Sequence, residues 1–142
     1  MGREDFEIIM RKIVCKVLSA LLCIFSFVGC NQKEAPMKNT YKQITPAEAK
    51  EIMDTEQNYI ILDVRTEEEF AEGHVKDAIL IPDTEITEKA EGILTDKEQQ
   101  ILVYCRSGRR SKNAANQLVE LGYSNVKEFG GIIDWPYGTT KE

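Results

Sequence analysis

Ile101-Leu102-Val103-Tyr104-Cys105-Arg106-Ser107-Gly108-Arg109-Arg110-Ser111 is the stretch that decides the fold. An apolar run ends in a cysteine, and a short arginine-rich loop with one glycine follows. A helical pattern then begins at Ser111, with Ala114, Leu118 and Leu121 at i, i+4 and i+7. Gly122 stands where a helix C-terminal glycine belongs. Cys105 therefore falls at the carboxyl end of a buried strand, facing the N-terminus of the next helix. Open α/β sheets bind ligands at that place, where free N–H groups and the positive end of the helix dipole converge. With Arg106, Arg109 and Arg110 beside it, such a cysteine favours the thiolate and is a candidate nucleophile.

Outward from that stretch, elements alternate. Thr45-Pro46-Ala47-Glu48 combines a threonine cap, a proline in the first helical position and a glutamate at the third, and predicts a helix to about Thr55. Asn58 marks a turn, and Tyr59 to Arg65 is a near-continuous apolar run that fits a strand buried on both faces. Thr66-Glu67-Glu68-Glu69 is a second capping box, leading a short helix through Phe70 to Gly73. Ala78 to Pro82 predicts a third strand, Asp83 to Ile93 a helix, and Asn125 to Phe129 a last strand. Gly130-Gly131 reads as a turn, and Ile132 to Trp135 as a short closing helix before Pro136. The alternation predicts an α/β fold: a central parallel sheet with helices on both faces.

The chain has 142 residues, 42% hydrophobic and 30% charged, which suits one folded domain. Its net charge of −6 argues against nucleic acid as a partner. The arginines around Cys105 are a local exception, and suggest a small anionic ligand. Cys15, Cys23 and Cys30 lie in the N-terminal segment, and Cys105 alone lies in the globular part, so neither a disulfide framework nor a zinc site can be built. His74, the single histidine, reads as a turn residue held by local hydrogen bonds rather than as a base.

The first segment, residues 1–29, reads as a signal peptide. Arg11, Lys12 and Lys16 form a basic flank, Val17 to Val28 is almost wholly apolar, and Gly29-Cys30 closes it. Met10-Arg11-Lys12 begins like an ordinary signal, so Met10 is an alternative start. Phe27-Val28-Gly29-Cys30 resembles the lipobox of bacterial lipoproteins, although leucine is usual where Phe27 stands. The resemblance implies lipid attachment at Cys30 and a membrane-anchored domain facing outside the cytoplasm, in the cell envelope. The rival reading is an uncleaved membrane anchor. Residues 30–40 read as a flexible tether, polar with Pro36, and residues 41–142 as the domain.

Several of these strings together resemble the rhodanese family of sulfurtransferases. They are Leu62-Asp63-Val64-Arg65-Thr66, Glu69 to Val75, Ala78 to Pro82, Tyr104 to Ser111 and Gly130-Gly131-Ile132, in the family's order and spacing. The resemblance implies a rhodanese-like domain in which Cys105 carries a persulfide. It implies a substrate loop of Arg106, Ser107, Gly108, Arg109 and Arg110 wrapped around the sulfur. It implies supporting roles for Asp63, Arg65 and His74. Glycine is frequent in the family where Asp77 stands, so the turn after His74 is expected to differ. The implied partners are a small anionic sulfur donor such as thiosulfate, a thiol or cyanide acceptor, and a redox or sulfur-relay protein. The chemistry needs no metal or organic cofactor.

Two other functions fit the same residues. A cysteine phosphatase places five residues between its cysteine and its arginine; here four separate Cys105 from Arg110. A non-catalytic module would hold an anion or a partner in the loop, but such modules can dispense with the cysteine.

Overall fold

The computed structural model describes residues 40–142. The signal segment, most of the tether and Cys30 lie outside the described residues. Five strands form one parallel sheet: β1 (Lys42–Gln43), β2 (Tyr59–Asp63), β3 (Ile79–Leu80), β4 (Gln100–Cys105) and β5 (Val126–Gly131). Their order across the sheet is β1-β5-β4-β2-β3. Four helices make the crossovers: α1 (Pro46–Thr55), α2 (Glu67–Glu72), α3 (Ile86–Ile93) and α4 (Arg109–Glu120). A single 3₁₀ turn, Ile132–Asp134, follows β5.

β4 is the centre of the sheet, and every residue in it is buried. Its side chains alternate between two cores, as the two-residue period of a strand requires. Ile101, Val103 and Cys105 pack with Ile86, Ala90, Ala114 and Leu118 of α3 and α4 on one face. Leu102 and Tyr104 pack with Ala49 and Ile52 of α1, Phe129 and Trp135 on the other. This alternation sends the cysteine toward the α4 side and the neighbouring tyrosine through to the α1 side. Burying two apolar faces at about 25 cal/mol per Å² is the main force holding the layers together.

Both capping boxes form: the Thr45 and Thr66 hydroxyls accept from the N–H groups of Glu48 and Glu69, whose carboxylates reach back to the cap N–H groups. Several boundaries differ from expectation. α4 starts at Arg109 rather than Ser111, because Gly108 takes a left-handed φ of 92° and turns the chain into the helix two residues early. α3 starts at Ile86, after a turn over Asp83 to Glu85. The third strand shrinks to Ile79–Leu80, and the closing helix is a 3₁₀ turn that ends at Asp134. Gly130 and Gly131 are not a free turn; they finish β5, and Gly131 pairs with Cys105. β1 was not legible, since its two exposed polar residues pair with β5 through backbone alone. Asp77 has a left-handed φ of 63°, which accounts for glycine being frequent at that place in the similar family.

Candidate active site

Cys105 ends β4, and the sheet is distorted just there. The β4–β5 register shifts between Val103 and Cys105, and the loop after the cysteine lies against Gly131. A Cβ on Gly131 would sit 2.6 Å from the Cα of Ser107 and closer still to the carbonyl oxygen of Arg106. Its φ of −117° is open to any residue, so space rather than backbone conformation demands glycine. The Arg106 carbonyl also accepts from the N–H of Ile133 at 3.3 Å, which ties the loop to the 3₁₀ turn.

The loop folds back over its own cysteine. The Gly108 N–H donates to Cys105 Sγ at 3.1 Å. Burial on its own pushes the thiol up. The polar groups gathered round the sulfur, the Ser111 side chain first and then the N–H groups of Ser111, Ser107 and Gly108, outweigh it and leave the thiol below its ordinary range. The N-terminus of α4, a 12-residue helix, points at the same place. Only 1% of Cys105 is exposed, so a reaction partner reaches the sulfur only through the mouth of the loop.

The three arginines separate into two kinds. Arg106 and Arg109 are exposed, and neither has an ion-pair partner among the described residues. Arg110 is forked onto Glu69, with Nη1–Oε2 at 2.7 Å and Nη2–Oε1 at 2.8 Å. That pairing holds the Glu69 carboxyl down to about 2, although burial alone would raise it. Glu69 thus has two tasks: it closes the α2 capping box and it anchors the guanidinium next to the loop. Only the first was legible in the sequence.

Asp63, the last residue of β2, and Arg65 form a buried pair. Arg65 Nη2 donates to Asp63 Oδ2 at 2.7 Å and to the Gly73 carbonyl at 2.7 Å, and Arg65 Nε donates to both carboxylate oxygens at 3.0 Å. The Tyr104 hydroxyl donates to Asp63 Oδ2 at 2.6 Å and accepts from the Val75 N–H at 3.0 Å. Burial, and then the Asp63 charge, push the Tyr104 phenol well above its ordinary range, so it stays a neutral donor. This network ties the ends of β2 and β4 to the segment Gly73–Val75. Arg65 also acts on Glu69, so the pair stands next to the Glu69–Arg110 clamp.

His74 faces elsewhere. Its Nδ1 lies 2.9 Å from the Phe70 carbonyl and its Nε2 2.9 Å from a backbone oxygen of Glu142. Its ring stacks on Phe70 with centroids 3.7 Å apart. One of the two hydrogen bonds is local, as expected, and the other reaches across the chain. His74 and Thr140 also exchange backbone hydrogen bonds, pinning the C-terminal segment to the domain.

Two site residues escaped sequence reasoning. The Ser111 hydroxyl, fully buried, donates to Glu128 Oε1 at 2.6 Å. Glu128 is 2% exposed, and its Oε1 also accepts from the Gly130 N–H at 2.9 Å. A glutamate between Lys127 and Phe129 looks like an outward strand position, so only its burial marks it.

The family model described as the rhodanese-like domain matches residues 45–135. The chain belongs to the rhodanese-like domain family. The rhodanese-like match begins at the Thr45 cap and ends at Trp135, so it takes in every strand except β1. Thiosulfate sulfurtransferase PspE of Escherichia coli is 40% identical over 73 residues, covering 51% of this chain and 70% of that protein. Thiosulfate sulfurtransferase GlpE of Coxiella burnetii is 35% identical over 96 residues, covering 67% of this chain and 87% of that protein. A solved rhodanese-related protein from Thermoplasma volcanium superposes with a TM-score of 0.63 at 31% identity, over 72% of this chain and all of that one (100%).

Proposed function

We propose that this rhodanese-like enzyme is a sulfurtransferase that carries a sulfane sulfur as a persulfide on Cys105. The observation that carries the reading is the loop: a buried thiol below its ordinary range, with N–H groups aimed at the sulfur. Relatives at 35% and 40% identity that are named thiosulfate sulfurtransferases support it.

The steps follow from the site. The Cys105 thiolate attacks the outer sulfur of thiosulfate. A new S–S bond forms, the old one breaks, and sulfite leaves with its electron pair. The persulfide anion stays in the loop, where the N–H groups and the α4 terminus stabilise its charge. Cyanide or a thiolate then attacks the outer sulfur, takes it, and returns Cys105 as thiolate. Arg106 and Arg109, exposed at the mouth, neutralise the anionic donor as it arrives and the leaving anion as it departs. Arg110, held by Glu69, contributes its field rather than a direct contact. A sulfur-relay or redox protein fits as physiological acceptor, since a thiol presented at the mouth does the same chemistry as a small one.

A cysteine phosphatase is the second reading. The four residues between Cys105 and Arg110, and the occupation of Arg110 by Glu69, both weigh against a cradle for a phosphoryl group. Thiosulfate–cyanide transfer and aryl-phosphate hydrolysis compared on one preparation separate the two. Cys105-dependent phosphate turnover with no sulfur transfer would reverse the choice.

We place the enzyme at a membrane, held by lipid on Cys30. The basic flank, the apolar stretch and Gly29-Cys30 support that placement.

A further inference from the structure

Where the 3₁₀ turn meets the cysteine loop, an apolar side chain is left in water. Gly131 pairs with Cys105 across the sheet, and the Ile133 N–H donates to the Arg106 carbonyl at 3.3 Å, so Ile133 stands at the rim of the mouth. Ile132 packs against the core that holds Phe129 and Trp135, while Ile133 is 65% exposed. The other large exposed apolar side chains, Ile93 and Tyr137, lie on α3 and against Trp135. A lone exposed isoleucine needs no explanation by itself. This one borders a sulfur that is almost wholly enclosed.

Free cations lie on the same side of the molecule. Arg106, Arg109 and Lys112 are exposed and have no ion-pair partner among the described residues. Lys112 and Asp134 line a cleft of about 420 Å³ that opens beside Ser107 and Gly108 and runs to Thr45 and Pro46. That size is within the range of ligand clefts. In a chain of net charge −6 this is a local basic surface with an apolar edge.

The acceptor must come to the sulfur, because the sulfur is held inside the loop. The outer sulfur of a persulfide stands only about 2 Å beyond Sγ. A cysteine carries its sulfur one bond from Cβ, so a polypeptide that reaches that atom lays the residues flanking its cysteine on the rim. Cyanide is too small to touch the rim at all. We propose that Ile133 and the free cations form a docking surface for a protein acceptor whose cysteine is flanked by an apolar and an acidic side chain. The proposal rests on the sulfurtransferase reading for its use. The apolar neighbour covers Ile133, and the acidic one meets Arg106 or Arg109. The acceptor thiolate attacks the outer sulfur, the S–S bond to Cys105 breaks, and its electron pair returns to Cys105 as thiolate. The acceptor leaves as the persulfide.

The test uses the full chain and two short peptides, one with its cysteine between leucine and aspartate, the other with its cysteine between serine and lysine. The variant is Ile133→Ser, which changes a surface side chain and keeps the backbone bond to Arg106. Sulfur uptake from thiosulfate and discharge to cyanide are expected at wild-type rates. Discharge to the leucine–aspartate peptide keeps its kcat while its KM rises about tenfold, as loss of a covered aliphatic side chain gives. The serine–lysine peptide has the higher KM in wild type, and Ile133→Ser leaves that value unchanged. Equal KM values for the two peptides in wild type overturn the proposal. So does a loss in Ile133→Ser that extends equally to cyanide discharge. A dimer, or binding to phosphatidylglycerol vesicles, that Ile133→Ser abolishes gives the surface another occupant and also overturns it. A third peptide, with serine replacing the cysteine between leucine and aspartate, reads binding alone by fluorescence anisotropy. If the wild-type chain takes up no sulfur yet binds this peptide about tenfold more tightly than Ile133→Ser does, the sulfurtransferase reading fails and the docking surface stands.

Discussion

Gly131→Ala adds one carbon where the cysteine loop crosses β5. That carbon would meet the Ser107 Cα at 2.6 Å, whereas ordinary contact begins at 3.4 Å, and it would press harder on the Arg106 carbonyl. Both neighbours are backbone, so the loop must retreat by about 1 Å or the strand must bend. Overpacking of this kind costs about 1–3 kcal/mol. For a domain of this size each kcal/mol lowers Tm by about 4–8 °C. A displacement of about 1 Å in a reacting group costs on the order of 100-fold in rate, so activity falls further than stability. The assay is thiosulfate–cyanide transfer beside thermal unfolding followed by circular dichroism. Gly92→Ala is the control: nothing lies within 4 Å of its new Cβ, and it sits inside α3, so it raises stability by about 0.5–1 kcal/mol and leaves transfer unchanged. Wild-type transfer by Gly131→Ala would refute the claim that the loop's seating on β5 aims the sulfur.

Arg65→Ala leaves Asp63 buried without its cation, so it costs about 3–5 kcal/mol by thermal or denaturant unfolding. Alkylation of Cys105 in the fraction still folded proceeds near the wild-type rate, since Arg65 is bonded to Asp63 and Gly73 rather than to the sulfur. Acid titration of stability reports the Glu69–Arg110 clamp. Glu69 titrates near 4.5 unfolded and about 2 folded, so its contribution is complete above pH 4.5 and is lost as pH falls toward 2; Glu69→Gln flattens that part of the curve. Expression in a bacterium with labelled fatty acid puts label on Cys30 and sends the protein into the detergent phase; an unlabelled soluble product contradicts the anchor.

The layers of the fold were legible because their signals are local. Thr45 with Glu48 and Thr66 with Glu69 announce two helices, and the apolar runs at Tyr59 and Ile101 announce the strands that pair beside each other. Cys105 was legible as a strand end before a helix. The partition of the arginines was not, because what separates Arg110 from Arg109 is Glu69, 41 positions away. Gly131 read as a turn residue, since sequence shows that a glycine is present but not which backbone presses on it. Glu128 and Ser111 stayed hidden for a similar reason: their partnership spans the β5–α4 layer contact and has no periodic signature.

A persulfide on Cys105 would be visible as mass. The direct measurement is mass spectrometry of the purified full chain after thiosulfate treatment and removal of excess reagent, with cyanide added to a second portion. The expected result is the added mass of one sulfur atom on the Cys105 peptide, its loss on cyanide treatment, and no addition in Cys105→Ser. No added sulfur on that peptide, or uptake that persists in Cys105→Ser, would contradict it.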